Sequence, residues 1–360
     1  MQFHKLRLRQ IVDETEQAYT LTFDRPAGSM WDFRAGQYLT IQLYIEGEAH
    51  RRPYSLSSSP LEEEFLSVTI KRLSEGLVSN YLRDHLKPGD EVEVFPPLGN
   101  FLVEPTPLRI RHYILIGGGS GITPLISILK TVLAIEPDSK VTLWYGNRKE
   151  EDIIFKEALL GLKKKYRERF TLIHVLSQAP EDWKGPRGRL GRDKIYEYIL
   201  ELFMVDEYQK AYYLCGPEGL MIAAQEAMDI HAIDPRHVFQ EHFVGNVLSL
   251  EEQAQALESE EELPEMEDKT YSISITLDDE EYEVTVPPGK SILDAALDAG
   301  LDAPYSCKGG VCTTCMGRVK KGEVEHSDSI ILLESERKKG VVLTCQARPT
   351  SDEVEISFGY

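Results

Sequence analysis

The sequence predicts a multidomain chain that joins an antiparallel β-barrel, a doubly wound α/β domain and a small α+β domain. Three observations support this fold class. Short alternating strands with turn signals fill the first hundred residues. Strands then alternate with helices, and an acidic segment poor in aromatic residues precedes a last strand-rich stretch. The predicted boundaries are 1–106 for the barrel, 107–247 for the α/β domain, 248–269 for the linker and 270–360 for the last domain.

The composition excludes several classes of function. The 360 residues carry a net charge of −20, and 42% of them are hydrophobic. This composition excludes a mainly disordered chain, and the acidic excess would repel a phosphate backbone, so we expect no nucleic-acid partner. No run approaches the ~18 apolar residues of a membrane span, so we expect no membrane association. There are only five cysteines, which fits the reducing cytoplasm better than an extracellular disulfide framework.

The barrel is predicted from the strands AYTLTF, GQYLTIQLYI, FLSVTIKRL and EVEVF. The first of two motifs in it, Arg52-Pro53-Tyr54-Ser55, combines an arginine that suits a pyrophosphate, a tyrosine that can stack on an aromatic ring and a hydroxyl that can bind a ring nitrogen. The second, Gly76-Leu77-Val78-Ser79, opens a helix, and helix N-termini bind phosphate. Taken singly, each motif has an ordinary alternative, a strand edge for the first and a simple helix start for the second.

The α/β domain is predicted from the strand HYILI, which runs into glycines and the helix ITPLISILKTVLA. The loop Gly117–Pro124 therefore lies where glycines admit a pyrophosphate at a helix N-terminus, although a plain tight turn is the alternative. Cys215-Gly216-Pro217 follows a later strand, where a buried core cysteine is the alternative interpretation.

The last domain contains the most specific motif of the chain. Cys307, Cys312, Cys315 and Cys345 follow the spacing C-x4-C-x2-C-x29-C. This is the plant-type spacing of a [2Fe–2S] cluster. The alternatives are a structural zinc site, which usually has two C-x2-C pairs, and four buried structural cysteines. Before the cysteines, the sequence predicts a hairpin and a short helix that Ser291 caps.

These motifs together resemble a known superfamily. RxYS followed by GxxS is similar to the flavin barrel of the ferredoxin–NADP reductase superfamily, and GGGxGxTP and CGP are similar to its pyridine-nucleotide half. From Tyr271 onward the chain resembles a plant-type ferredoxin. The resemblance implies that Ser55, Thr123 and Cys215 lie at the reacting centre. The flavin-binding residues it implies are Arg52, Pro53, Tyr54, Ser55, Lys71, Gly76, Leu77, Val78 and Ser79. The nucleotide-binding residues it implies are Gly118, Gly119, Gly121, Thr123, Cys215, Gly216 and Pro217.

Two further positions are less specific. Glu241-His242-Phe243 matches a closing segment of related reductases, in which Phe243 is either a contact to the flavin edge or an inter-domain core residue. Arg148, which follows a strand of the α/β domain, suits the 2′-phosphate of NADPH or simply lies at the surface. Positive charge nearby comes from Arg187, Arg189 and Arg192. Ser177-Gln178 departs from the Ser-Arg pair of plant-type reductases, so NADPH and NADH both remain candidate donors.

Taken whole, the chain resembles the single-chain reductases of multicomponent oxygenases, of the phenylacetyl-CoA epoxidase type. The resemblance implies FAD, although phthalate-dioxygenase-type reductases of the same order use FMN. It also implies electron transfer from NADPH or NADH through the flavin to a [2Fe–2S] cluster, and then to an oxygenase, expected to be a di-iron enzyme. The alternatives are a reductase for another oxygenase or a desaturase, a stand-alone NAD(P)H–flavin reductase, and an interaction module that holds zinc.

Overall fold

The computed structural model describes residues 2–358 except 62–63, 75, 206, 244–268, 278–279, 311, 313, 327–331 and 333–336. The chain divides into two compact units, one spanning Phe3–Phe243 and the other on its C-terminal side. Each is described by itself. Among the described residues, no helix is long and apolar enough to cross a membrane.

The N-terminal part of the first unit is a six-stranded antiparallel sheet in the order β4-β3-β6-β1-β2-β5. Its strands are β1 (His4–Thr15), β2 (Ala18–Asp24), β3 (Tyr38–Ile45), β4 (Glu48–Ser55), β5 (Phe65–Lys71) and β6 (Glu91–Leu98). An antiparallel bridge between Leu56 and Val68 joins the two ends of this order and closes the barrel. Alternate residues of β1, β2, β3, β5 and β6 fill the interior, as pleated strands require, and Tyr54 of β4 packs against them. Helix α1 (Leu77–His85) lies between β5 and β6.

A parallel five-stranded sheet follows, in the order β11-β10-β7-β8-β9. Its strands are β7 (His112–Gly118), β8 (Lys140–Asn147), β9 (Phe170–Leu176), β10 (Lys210–Cys215) and β11 (Val238–Glu241). Its helices are α2 (Ile122–Ile135), α3 (Lys156–Lys165), α4 (Arg192–Val205) and α5 (Glu218–Ile230). The first two helices pack on one face and the last two on the other. The strand order reverses between β7 and β10, and doubly wound sheets bind ligands outside the carboxyl ends of the strands at such a point.

The C-terminal unit contains a mixed sheet in the order β13-β12-β18-β14-β16 and a two-stranded pair, β15-β17. Its elements are β12 (Tyr271–Leu277), β13 (Glu280–Val286), α6 (Ile292–Asp298), β14 (Met316–Lys321), β15 (Val324–His326), β16 (Val341–Leu343), β17 (Ala347–Pro349) and β18 (Val354–Phe358). As expected, Ser291 caps α6, because its hydroxyl accepts the N–H of Asp294 at 3.1 Å.

The predicted fold class is confirmed: an antiparallel barrel, a doubly wound parallel sheet and an α+β unit follow one another along the chain. The domain boundaries stay predictions, since 248–268 of the predicted linker lies outside the described residues.

Candidate functional site

The ends of two distant strands meet at Ser55. Ser55 is the last residue of β4 and is buried, and its hydroxyl donates a hydrogen bond to Oε2 of Glu241, the last residue of β11, at 3.2 Å. Loss of hydration raises the pKa of the Glu241 carboxyl to about 8, although the Ser55 hydrogen bond acts to lower it. The carboxyl is therefore protonated and neutral at pH 7. The match to a closing segment includes Glu241 but gives it no role, because its partner lies 186 positions away in the sequence.

Cys215 lies beside Glu241 at the carboxyl edge of the parallel sheet. Cys215 is paired in register with Glu241 on one side and with Gly117 on the other. It is fully buried, and burial together with the nearby Glu241 raises the pKa of its thiol. The thiol is therefore neutral and lies at the switch point, while its role at the reacting centre stays a prediction.

The glycine loop packs against the backbone that follows Cys215. A β-carbon at Gly121 would lie 2.0 Å from the Cys215 carbonyl oxygen, and one at Gly118 would lie 2.7 Å from Cδ of Pro217. A β-carbon at Gly216 would lie 3.0 Å from the Gly118 nitrogen. Only glycine permits these approaches, so the predicted nucleotide-binding residues form one packed group at the start of α2. No side chain caps that helix start, although its first N–H, that of Ile122, donates to the carbonyls of Gly119 and Ser120 in the loop itself.

Lys71 comes from the flavin barrel in sequence, but its side chain lies beside the glycine loop of the α/β domain. It ends β5 of the barrel, and its ammonium lies 3.9 Å from the position of a β-carbon on Gly119 in the glycine loop. Burial lowers the pKa of Lys71, and the charge of Arg148 lowers it further. Gly119 has a left-handed φ of +53°, and the Tyr145 hydroxyl donates to its carbonyl at 2.9 Å. The loop is thus fixed with a barrel lysine beside it.

The flavin motif is connected to the start of α1 through Tyr19. The Tyr19 hydroxyl donates to the Ser79 carbonyl at 2.6 Å, and Tyr54 lies near enough to raise the pKa of Tyr19 further, after burial. Gly76, the residue before α1, provides no side-chain cap, so the first N–H groups of the helix remain available to phosphate. The Ser79 hydroxyl instead accepts the Leu73 N–H at 3.3 Å. Ser79 of GLVS and Tyr54 of RPYS are thus both neighbours of Tyr19, and their shared role in a flavin site stays a prediction.

The other predicted residues have varied surroundings. Arg52 is exposed and bonds the Arg51 carbonyl at 2.8 Å, which leaves most of its donors free for a pyrophosphate. Thr123 is buried in the first turn of α2, and its hydroxyl donates to the Ser120 carbonyl at 3.0 Å. Phe243 packs against the core of the α/β domain, consistent with its structural alternative. For the remaining flavin positions, Val78 is buried, Pro53 is intermediate and Leu77 is exposed.

The serines after RPYS attach the barrel to α2. The Ser127 hydroxyl donates to the Ser58 carbonyl at 2.6 Å, and the Ser59 and Thr131 hydroxyls share a hydrogen bond at 2.8 Å. These contacts are buried and join residues about 70 positions apart. They hold the flavin half and the nucleotide half in one unit.

The cysteine loop already presents donors to its sulfurs. The Gly309 N–H donates to Sγ of Cys307 at 3.3 Å, and the Cys307 N–H donates to Sγ of Cys312 at 3.4 Å. Hydrogen bonds of this kind stabilise the sulfurs of an iron–sulfur cluster and tune its potential. Cys315 directly precedes β14, Cys345 lies just after β16, and both are buried. The four thiols therefore fit a [2Fe–2S] group.

The cysteine spacing favours a binuclear cluster over a single metal ion. Structural zinc usually takes two C-x2-C pairs around one ion, whereas this chain has one such pair and Cys345 stands apart. In a [2Fe–2S] cluster of the plant type, four thiolates with this spacing are divided between two irons.

Comparisons with known proteins match a domain family to each of three parts of the chain. Residues 5–102 match the oxidoreductase FAD-binding domain, residues 115–226 the oxidoreductase NAD-binding domain and residues 275–350 the 2Fe-2S iron-sulfur cluster binding domain. The chain is similar to phthalate dioxygenase reductase, with a TM-score of 0.59 and 23% identity over 99% of this chain and 98% of that one. This likeness shows the fold.

Two relatives match nearly the whole length. One is a component of the 1,2-phenylacetyl-CoA epoxidase of Escherichia coli, 35% identical over 99% of this chain and 98% of that protein. The other is the ferredoxin reductase component of 3-ketosteroid-9-alpha-monooxygenase of Mycobacterium tuberculosis, 34% identical over 98% of this chain and 95% of that protein. The chain belongs to the family of oxidoreductases that serve as reductase components of oxygenases and join FAD-binding, NAD-binding and [2Fe–2S] domains in one polypeptide.

Proposed function

We propose that this reductase takes electrons from NADPH and delivers them to a di-iron oxygenase that acts on an aromatic acyl-CoA. The observation that carries the oxygenase class is the 35% identity to the phenylacetyl-CoA epoxidase component, which extends over 99% of the chain. None of the five cysteines, all of which the structure describes, forms a disulfide, which supports a place in the reducing cytoplasm.

The chain's own residues prepare the point at which the flavin is reduced. The RPYS and GLVS segments would hold the FAD, which would supply the chemistry that takes up two electrons as a hydride and releases them one at a time, because the cofactors carry the redox chemistry. Ser55, Glu241 and Cys215 are neutral at pH 7, since the carboxyl titrates at about 8 and the pKa of the thiol is raised. Neutral groups here place no negative charge where electrons accumulate. The glycine loop admits the nucleotide, and we assign Lys71 to its phosphates.

The donor preference rests on two arginines at one edge of the sheet. The Gln178 N–H donates to the Arg148 carbonyl at 2.8 Å, so the chain segments that follow β8 and β9 run together. Leu190 lies 3.3 Å from the position of a β-carbon on Gly146, which brings Arg189 to the same edge. Arg148 and Arg189 are both exposed. Neither guanidinium is hydrogen-bonded or ion-paired within the described residues.

The other two arginines are already engaged. Nη2 of Arg187 donates to the carbonyls of Pro180 and Glu181, both at 2.8 Å, and so holds its own loop. Arg192 pairs with Asp193 at 2.9 Å. Arg148 and Arg189 are therefore the cations left for a 2′-phosphate, which supports NADPH.

An anaerobic absorbance titration tests the electron path. Flavin bands and the broad cluster absorbance should both bleach with NADPH, and more NADH should be needed for the same bleaching. A colourless protein after reconstitution with FAD, iron and sulfide would contradict the proposed function. A second assay then identifies the partner. The reductase is combined with the oxygenase of an acyl-CoA epoxidase or with that of a ketosteroid monooxygenase, and the product formed per NADPH is compared between the two.

The double substitution Arg148→Gln and Arg189→Gln tests the donor. Loss of charged hydrogen bonds to a phosphate should lower the ratio of kcat/KM for NADPH to that for NADH about 10- to 100-fold. Arg192→Gln is the matched control, because it removes a nearby charge that Asp193 already pairs. An unchanged ratio in the double variant would rule out these arginines as the selective residues.

A further inference from the structure

A lysine occupies a backbone position of the cysteine loop that favours glycine. Lys308 directly follows Cys307 and has a φ of +54°, in the left-handed region. Side chains other than glycine rarely adopt this conformation, and glycines do stand at the next two positions of the loop. A lysine at such a position calls for contacts that hold it there.

Both ends of Lys308 are held by residues outside the loop. Its ammonium donates to Oδ1 of Asp294, on α6, at 2.9 Å and lies 5.0 Å from the ring centroid of Tyr305. Its carbonyl accepts a hydrogen bond from Nε2 of Gln346 at 3.0 Å, and the same amide donates to the carbonyl of Cys345 at 3.0 Å. The contacts therefore connect the loop after Cys307 to a helix on one side and to the fourth cysteine on the other.

Asp294 is itself fixed in place. Its second carboxylate oxygen accepts the Ser291 hydroxyl at 2.8 Å, while its N–H donates to the same hydroxyl at 3.1 Å. The carboxylate that receives Lys308 therefore belongs to the capped first turn of α6, whose neighbours Ile292 and Leu293 are buried in the core. A rigid acceptor of this kind limits the positions open to the lysine, which a mobile surface carboxylate would not do.

We propose that Asp294, Lys308 and Gln346 form a clasp that positions the cluster loop and raises the reduction potential of the [2Fe–2S] cluster. This inference rests on the proposed ligation by the four cysteines. The clasp holds the peptide after Cys307, and so keeps the Gly309 N–H directed at Sγ of Cys307 at 3.3 Å. Donors aimed at the sulfurs favour the more negative, reduced cluster, as does a nearby ammonium. All three are positioning residues, since none of them is a ligand.

The sign of one shift separates positioning from plain electrostatics. Asp294→Asn removes a negative charge, so electrostatics alone would raise the cluster potential. If Asp294 acts by holding Lys308, the same substitution releases the clasp and lowers the potential. Asparagine also retains an oxygen that can accept the Ser291 hydroxyl, so the helix cap is preserved.

The experiment is a spectroelectrochemical titration of the full-length protein with FAD and cluster bound. Lys308→Gln and Asp294→Asn should each shift the one-electron midpoint to more negative values by about a tenfold change in the reduced-to-oxidised ratio, equal to about 59 mV. The double variant should shift no further than either single one, because both break the same clasp. Lys308→Arg should restore most of the wild-type midpoint.

Lys321→Gln is the matched control. It removes a lysine of the same unit that pairs with Glu353 at 2.6 Å near the far end of β14, and its midpoint should stay at the wild-type value. A positive shift in Asp294→Asn, or equal midpoints in Lys308→Gln and Lys321→Gln, would overturn the clasp. If Lys308→Gln and Asp294→Asn both lose the cluster while Lys321→Gln retains it, the result would support the clasp. A wild-type protein without any cluster would instead overturn the proposed function.

Discussion

The two glycine-containing loops of this protein are shaped in opposite ways. In the nucleotide loop, backbone packs directly on backbone: Gly121 faces the Cys215 carbonyl with no room for a methyl group. In the cluster loop, a lysine with a left-handed φ is held by side chains from elsewhere in its unit. The first loop is therefore preformed by close contact, whereas the second depends on its ties and on its ligands.

The largest expected effect is in the cluster loop. Cys312→Ser removes one of four thiolates, so the cluster absorbance should be lost completely. The nucleotide loop does not depend on that ligand, and reduction of an artificial dye by NADPH should continue at the wild-type rate. Absorbance spectra and dye assays of the same preparation check this. Loss of both properties would show that the two sites are not independent.

A single methyl group should disable the preformed loop. Gly121→Ala would bring a β-carbon to 2.0 Å from the Cys215 carbonyl oxygen, and the displaced loop should slow flavin reduction at least about 100-fold. Overpacking should also cost about 1–3 kcal/mol of stability.

Stopped-flow reduction and thermal unfolding measure the two effects of Gly121→Ala. Gly161→Ala is the control, because nothing lies within 4 Å of its β-carbon position in α3, and alanine there should gain about 1 kcal/mol. Equal behaviour of the two variants would remove the contrast between the loops.

Cys215→Ala tests whether the thiol acts beyond packing. Because Cys215 ends β10 at the switch point, we expect flavin reduction to slow about tenfold at constant FAD content, the order of a small loss of orientation. The FAD content is read from absorbance after denaturation, and the rate from stopped-flow traces. A wild-type rate would make the cysteine purely structural.

The last prediction concerns the pH dependence of stability. The Glu241 carboxyl has a pKa of about 8 in the fold and about 4.3 in an unfolded chain. Between these values the folded state keeps a proton that the unfolded state releases, so stability is lost as the pH rises and the loss is complete above pH 8. Glu241→Gln cannot ionise.

The stability of the Glu241→Gln variant relative to the wild type should therefore increase from pH 5 to pH 8, by on the order of 3 kcal/mol. Thermal unfolding of the holoprotein across that range measures the difference. The exposed Glu226→Gln on α5 is the control and should follow the wild type at every pH. If Glu241→Gln also showed the pH dependence of the wild type, the raised pKa of Glu241 would be contradicted.

The sequence predicts the order of elements well, because hydrophobic periodicity is local. The strand HYILI followed by glycines, and the cysteine spacing, indicate both sites without any knowledge of contacts. Long-range pairings leave no such local pattern: Ser55 meets Glu241 across 186 positions. The motif places Lys71 with the flavin strand, yet its ammonium lies beside Gly119 of the nucleotide loop. Arg187 reads as free positive charge in the sequence, yet it binds carbonyls of its own loop.

The strand order of the C-terminal unit determines when this unit can fold during synthesis. β18 (Val354–Phe358) is contributed late in the chain, yet it lies in the middle of the sheet, parallel to β12 and antiparallel to β14. The ribosome must therefore release this strand before the sheet can form, although domains nearer the N-terminus fold during translation. Iron and sulfide can enter a formed loop only after that strand has emerged. Insertion of the cluster into a completed sheet is thus a late step in the maturation of this protein.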